Sequence, residues 1–483
     1  MITKLKELYD NDHISLTIAK ISILSLLMLF SLKISALVYV MLAVAIAIVV
    51  TEKEFNGIYY CFLLINYRFI FRNHLDGSIS FVLIVLFAFA IAMFVKYYLI
   101  RKEKLKLNWW VVGFSGAYLL YLLLPIHEFH FMEYLKFVVM VFTINFLVLF
   151  KDKVDLKKLI LFFTTGCLIA SFIFAITQIW FRDFFITMGY EVSVYGLHRY
   201  RGLAGDPNYY SVDLLISMAG IYYLYFRKQL NIYWTSGIAG VLAVFCWLTY
   251  SKSVLVGIVI MLALTTIASY VKDFKKNWYK PLILIGALFV GMIITNYVFR
   301  LATLSIFSRF QEQYTGGLPE GTTSGGLFGG GLGAGDKSAS EVVMDNVLTG
   351  RWSLWGNHLK YSFSSLKTFL FGGGIGSYIG PMEAHNTAIQ ILYETGFVGA
   401  VLLAGIFVCV FIEFGFGKHL FKRENWLNWV MMIACVAMFM NVNYLAATSF
   451  VYHIFMFVFV LFDAKKSSTI GGNENVDNIH TDI

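Results

Sequence analysis

Two arginines one residue apart, Arg199 and Arg201, stand in H-R-Y-R-G-L-A-G-D-P-N-Y-Y-S (198–211), immediately before an apolar run. Guanidinium groups present paired N–H donors that match phosphate oxygens bidentately, and two so close cannot both be hidden in an apolar interior. The chemistry they suit is a clamp on a pyrophosphate. Gly202 and Gly205 permit a tight backbone, and Asp206-Pro207-Asn208 reads as a helix start, with proline stiffening the turn and Asp or Asn able to cap. The plainer alternative is an interfacial turn whose arginines meet lipid headgroups.

A third arginine, Arg351, opens G-R-W-S-L-W-G-N-H (350–358). Spacings of four and three put Arg351, Trp355 and His358 on one helical face, and the indoles of Trp352 and Trp355 suit headgroup depth. An anchoring helix is the competing reading. Further on, F-G-G-G-I-G-S-Y-I-G-P-M-E-A-H-N-T-A-I-Q-I-L-Y-E-T-G (371–396) has a glycine turn and then His385-Asn386 directly before another apolar run. Histidine titrates near neutrality, so a ring held at a helix end beside a hydroxyl can accept its proton. A histidine there can equally be a cap. Asp206, Glu383 and Glu394 are the acids able to orient it, each also open to a structural role.

Weaker signals surround these. His127 and His130 in H-E-F-H-F make a poor metal site, and no metal centre is expected. Lys20 lies about two turns inside the first apolar run, within snorkelling reach of the surface. Lys252 in Y-S-K-S (250–253) can add positive charge to a phosphate site. His-Glu-x-x-His and Gly-x-Ser-x-Gly do not occur, and the glycines of 315–340 match neither a phosphate-binding loop nor a dinucleotide fingerprint.

The elements that position these residues are apolar helices. The chain has 483 residues, 59% hydrophobic and 14% charged, against about half and a quarter in soluble domains. Runs long enough for a helix crossing ~30 Å of hydrocarbon fall near 14–32, 34–50, 56–71, 79–100, 108–124, 137–150, 159–180, 209–226, 232–249, 254–271, 281–299, 387–413, 426–441 and 446–462. Those at 56–71, 137–150 and 426–441 are short. The expectation is an all-α polytopic membrane protein of about twelve to fourteen transmembrane helices with one large extracytoplasmic loop.

Four regions result: a membrane domain 1–299 with an external loop at 181–208, the large loop 300–386 with its Gly-rich segment 315–340, C-terminal transmembrane helices 387–462, and a disordered cytoplasmic tail 463–483. The net charge of +9 is spread over short connections rather than one patch, which argues against nucleic acid. With the N-terminus inside, the connections assigned to the cytoplasm hold 22 Lys and Arg and the short external ones only Lys33, Arg68, Arg72, Lys136 and Lys252. That asymmetry orients the chain and places both termini inside. All five cysteines lie in apolar runs, so no disulfide framework is expected.

Taken in order, R-Y-R-G-L-A-G-D-P-N (199–208), G-R-W-S-L-W (350–355), G-G-G-I-G (372–376) and H-N-T-A-I-Q-I-L-Y-E-T-G-F-V-G (385–399) resemble the O-antigen polymerase and O-antigen ligase superfamily, over roughly residues 195–400. The resemblance implies a metal-independent, inverting glycosyltransferase without cofactor in a bacterial plasma membrane. Its donor would be an undecaprenyl-diphosphate-linked glycan. Arg199 and Arg351, helped by Arg201, would bind the pyrophosphate, and His385 would act on the acceptor hydroxyl. Gly202, Asp206, Asn208 and Asn386 match as motif support. A second lipid-linked repeat unit as acceptor makes the activity a polymerase, with a flippase and a chain-length regulator as possible partners. Transfer to a lipid, wall polymer or protein would make it a ligase, and a non-enzymatic flippase or exporter is the further alternative. The Gly-rich 315–340 and Lys252, where similar proteins often carry Arg, depart from the pattern.

Overall fold

The computed structural model describes residues 13–67, 81–124, 131–181, 184, 191–192, 198–200, 202–203, 207–249, 251, 256–263, 279–299, 351–377, 384, 386–416 and 448–477. Among them the chain is helical apart from one two-residue ladder. The first half contains α1 (His13–Ser31), α2 (Leu37–Thr51), α3 (Gly57–Leu64, with a 3-10 turn to Tyr67), α4 (Phe81–Phe94, with a π turn to Ile100), α5 (Trp109–Leu122), α6 (Phe131–Leu149) and α7 (Leu156–Ala175, with a π turn to Trp180). The ladder pairs β1 (Glu191–Val192) antiparallel with β2 (His198–Arg199). Then come α8 (Pro207–Phe226), α9 (Ile232–Leu248), α10 (Tyr279–Phe299), the short α11 (Arg351–Ser362) and α12 (Leu366–Phe371), and the long α13 (Thr387–Phe414) and α14 (Thr448–Asp477).

Nearly every expected apolar run contains a helix; that at 426–441 lies outside the described residues. Among the described residues four helices are long and apolar enough to cross a membrane, Ile14–Ser31, Phe81–Ile100, Leu156–Ala175 and Thr387–Phe414, and five more apolar stretches of helix are shorter. The 15 residues of α2 reach about 22 Å at ~1.5 Å per residue. Asn108 and Asn231 leave the helix to accept N–H groups from the first turns of α5 and α9.

Packing relies on small residues at close approaches, which suits helices that gain little by hiding apolar surface from lipid. A Cβ on Gly291 of α10 would stand 2.7 Å from the carbonyl oxygen of Gly240 in α9, and one on Gly166 of α7 would stand 2.4 Å from that of Leu63 in α3. Many large apolar side chains face outward, including Ile18, Phe87, Ile91, Val259, Phe289, Val401 and Ile412. Soluble monomers rarely expose large apolar patches.

Ion pairs gather the lysine-rich connections at one end of the bundle. Lys151 meets Glu413 at 2.7 Å, Lys153 meets Glu103 at 3.3 Å, and Lys466 meets Asp152 at 3.9 Å. Asn108 donates to Glu413 at 2.8 Å, and Arg227 meets Asp463 at 2.8 Å. The last turns of α8 and α13 therefore lie at this end, and their first turns, at Pro207 and Thr387, lie at the other. Exposed Trp109, Trp110, Tyr233 and Trp234 sit at the helix starts of the lysine-rich end, whereas exposed Phe131, Trp180 and Phe181 sit at the opposite one. Aromatic rings at both ends are the pattern of two membrane interfaces.

Two expectations change. Lys20 does not merely reach toward the surface; it is paired with Glu52 at 2.5 Å, tying α1 to the end of α2. The expected tail is helical through Asp477, because its first polar residues are anchored. Asp463 accepts from Tyr223 and Arg227, and Lys465 lies against Gly415.

A buried pair unsuspected from the sequence joins α8 to α14. His453 Nε2 and Asp213 Oδ1 are 2.7 Å apart, and both side chains are at most 2% exposed. Phe163 of α7 closes over the imidazole edge-on, with ring centroids 6.0 Å apart. Removing one member takes a buried polar partner from the other, so Asp213→Leu and His453→Phe should each cost roughly 3–5 kcal/mol. The double replacement should regain most of it. Thermal unfolding of the detergent-solubilised protein measures this, and a double variant as unstable as the summed singles would contradict it.

Candidate functional site

Two groups of the sequence motifs are placed, both at the end away from the lysines. The first surrounds the start of α8. Gly202 has φ +54, and a Cβ there would be 2.8 Å from the ring of Tyr210. The turn thus lies flat on that ring, which only glycine allows. Tyr210 donates to Ser171 at 2.6 Å, and the Tyr200 backbone N–H donates to the Leu248 carbonyl at 3.1 Å. Pro207 is the first residue of α8, as expected; Asp206 lies outside the described residues. Asn208 is not the cap. It sits inside the first turn, and its Oδ1 accepts from Ser251 at 3.3 Å. That bond draws Ser251 to the start of α8. For Arg199 the backbone alone is placed, paired with Glu191 in the ladder; Arg201 and Lys252 lie outside the described residues.

The second group is built on a break in α13. Gly396 has φ 63 and ψ −174 inside the helix, a conformation essentially confined to glycine. Breaking a helix frees carbonyls upstream, and these are taken by the glycine turn. Gly373 N–H donates to the Tyr393 carbonyl at 2.7 Å and Gly374 N–H to that of Glu394 at 3.0 Å. The two backbones touch. A Cβ on Gly372 would be 2.5 Å from the Glu394 carbonyl oxygen, and one on Gly396 would be 2.5 Å from Gly372 N. Tyr121 of α5 donates to the Thr395 carbonyl at 2.6 Å, securing the other side.

The two turns of α13 before the break carry the polar residues. Asn386 is the cap, its Oδ1 accepting from Ala388 and Ile389 at 3.0 and 3.3 Å, so His385 immediately precedes the cap in the chain. His385 itself, with Glu383, lies outside the described residues. Gln390 is 3% exposed; its Oε1 accepts from Ala384 N at 2.8 Å. Its Nε2 donates to Glu394 Oε1 at 2.7 Å and to the Ser377 carbonyl at 3.2 Å. Glu394, an acid considered for orienting the histidine, thus holds Gln390.

Helix α11 packs against this unit. Trp355 Nε1 donates to the Ala384 carbonyl at 2.8 Å. His358, on the same face, is buried, with Nδ1 2.9 Å from the Leu354 carbonyl and its ring edge-on to Tyr393 at 4.9 Å. Burial lowers its pKa below the ordinary histidine value, the Leu354 bond opposing, so it stays neutral near pH 7. The backbone of Arg351 forms the first residue of α11. Structure thereby brings together the 350–358, 372–376 and 385–399 motifs, and separately 199–208 with 251. Among the described residues no hydrogen bond joins these two groups; they share an end of the bundle.

Sequence reading missed Gln390. Its signal was available, since a glutamine at the fourth position of a largely apolar helical run must find partners once buried.

Gly396→Ala should destabilise by more than ~3 kcal/mol, because the disallowed φ adds to a clash with backbone rather than with a movable side chain. Gly356→Ala, with open space around it, should be neutral or gain up to ~1 kcal/mol of helix propensity. Comparison of their melting temperatures tests this. No protein-family model, no curated protein and no solved structure matches the chain.

Proposed function

We propose that the chain is a polytopic bacterial plasma-membrane glycosyltransferase that polymerises undecaprenyl-diphosphate-linked repeat units into a surface polysaccharide. Support comes chiefly from one observation: helix direction carries the starts of α8 and α13, and with them the motifs of Arg199 and His385, to the end of the bundle away from the lysine-rich connections. Lysine-rich connections favour the cytoplasm, so the motifs would face outward with both termini inside. The aromatic rings at both ends and the apolar coat support a polytopic membrane protein.

In this mechanism the acceptor hydroxyl oxygen attacks the anomeric carbon of the donor. The bond from that carbon to phosphate breaks, undecaprenyl diphosphate leaves with the electron pair, and the hydroxyl proton passes to His385. A single displacement inverts the anomeric centre. Arg199, Arg201 and Arg351 neutralise the charge that grows on the leaving diphosphate, which is the task of a metal ion in other transferases. Asn208 and Asn386, Gly202 and Asp206 support the backbone that carries them.

With purified protein and one purified lipid-linked repeat unit, a ladder of products is expected; a single addition to a different acceptor would indicate a ligase, and no product a flippase or exporter. His385→Ala should lower the rate by ~10²–10⁴, the usual share of a general base. Arg199→Ala should lower it by ~10² or more, as removal of one charge-stabilising donor does. Wild-type rates in both variants would sink the reading. Activity should also persist in excess chelator, and restoration only by added divalent metal would refute the metal-free scheme.

A further inference from the structure

We propose that Trp355 and Gln390 are positioning residues for His385, and that the Trp355 bond sets the spacing between this base and the arginine of α11. The inference rests on the function proposed above. Both polar backbone groups of Ala384, the residue just before His385, are tied, its N–H to Gln390 at 2.8 Å and its carbonyl to Trp355 at 2.8 Å. The residue just after, Asn386, is locked as the cap of α13 through two further bonds. The chain is thus fixed on either side of His385 by two different helices.

Neither tie is free to swing. The Gln390 amide donates through Nε2 to Glu394 and to Ser377, so a flip of the amide would set donor against donor at Ala384 and acceptor against acceptor at both other contacts. Gln390 and Glu394 are each 3% exposed, and Ala384 is fully buried, so no water substitutes for a lost partner. Trp355 lies one helical turn beyond Arg351 on the same face. A single 2.8 Å bond therefore connects the helix that starts at Arg351 with the segment that carries His385. A shift in that bond moves base and cation relative to one another, and misplacement by about 1 Å typically costs ~10²-fold in rate.

Trp355→Phe keeps an aromatic ring and removes the indole N–H with the five-membered ring that carries it; Gln390→Met keeps the volume and removes both ends of the amide. In the purified full-length protein each should lower kcat by ~10–100-fold with KM for the lipid-linked unit changed less than ~3-fold, since the geometry of the reacting groups is altered rather than binding. Neither should lower further the residual rate of His385→Ala, because groups acting as one unit are non-additive. Carbethoxylation of His385, followed by mass spectrometry, should change rate by at least ~3-fold in both variants, a readout that does not need turnover and reports the surroundings of the ring. Unchanged kcat together with unchanged carbethoxylation overturns the proposal, and so does a loss of equal size in the His385→Ala background. If His385→Ala loses activity while Trp355→Phe and Gln390→Met do not, only this inference fails. If His385→Ala retains the wild-type rate, the functional reading fails with it.

Discussion

A helix that breaks inside an apolar environment leaves carbonyl oxygens that water cannot reach, and each must find a donor or cost several kcal/mol. In α13 the break is at Gly396, and the donors are the N–H groups of Gly373 and Gly374. Much of the candidate site follows from that exchange. Because backbone meets backbone at Gly372 and Gly396 without room for a Cβ, the glycine turn can dock in one place only. Its docking fixes α12 before it and presents the Ser377 carbonyl to Gln390 after it. The two turns of α13 before the break are thereby held at their own angle, away from the axis of the lower helix.

The lower part of α13 is held by different forces. Asn108 and Tyr121, near the two ends of α5, bond Glu413 and the Thr395 carbonyl respectively, so α5 runs antiparallel to α13 from the lysine-rich end up to the break. Partly exposed ion pairs at that end contribute little each, on the order of 0–1 kcal/mol. Their value lies in register and sorting: they gather connections from distant parts of the chain at one level. The buried Asp213–His453 pair serves α8 and α14 in the same way, as a polar contact that rejects any sliding of the two helices.

Helix positions, the gathering of the lysine-rich connections at one end and the glycine turn were legible in the sequence, because each is written in a local pattern: apolar runs, the distribution of Lys and Arg, and glycines too dense for a helix. Helix ends were less legible. The apolar run at 108–124 takes in Asn108, although that residue leaves the helix to cap it. The joining of α8 to α14 was not legible, since Asp213 and His453 are 240 residues apart and each alone is a single polar residue in an apolar stretch. Gln390 escaped notice for the same reason. Glu394 is one helical turn along, but Ser377 becomes a neighbour because the glycine turn folds back on α13.

The proposed chemistry makes different demands on the base and on the cations. Proton transfer is steep in distance, because donor and acceptor must approach to about 2.6–3.2 Å. Coulombic stabilisation of a diphosphate falls only as the inverse of distance, so guanidinium groups on long side chains remain effective over a range of positions. The stricter demand falls between Ala384 and Asn386, and the chain there is held from α11 and α13 together.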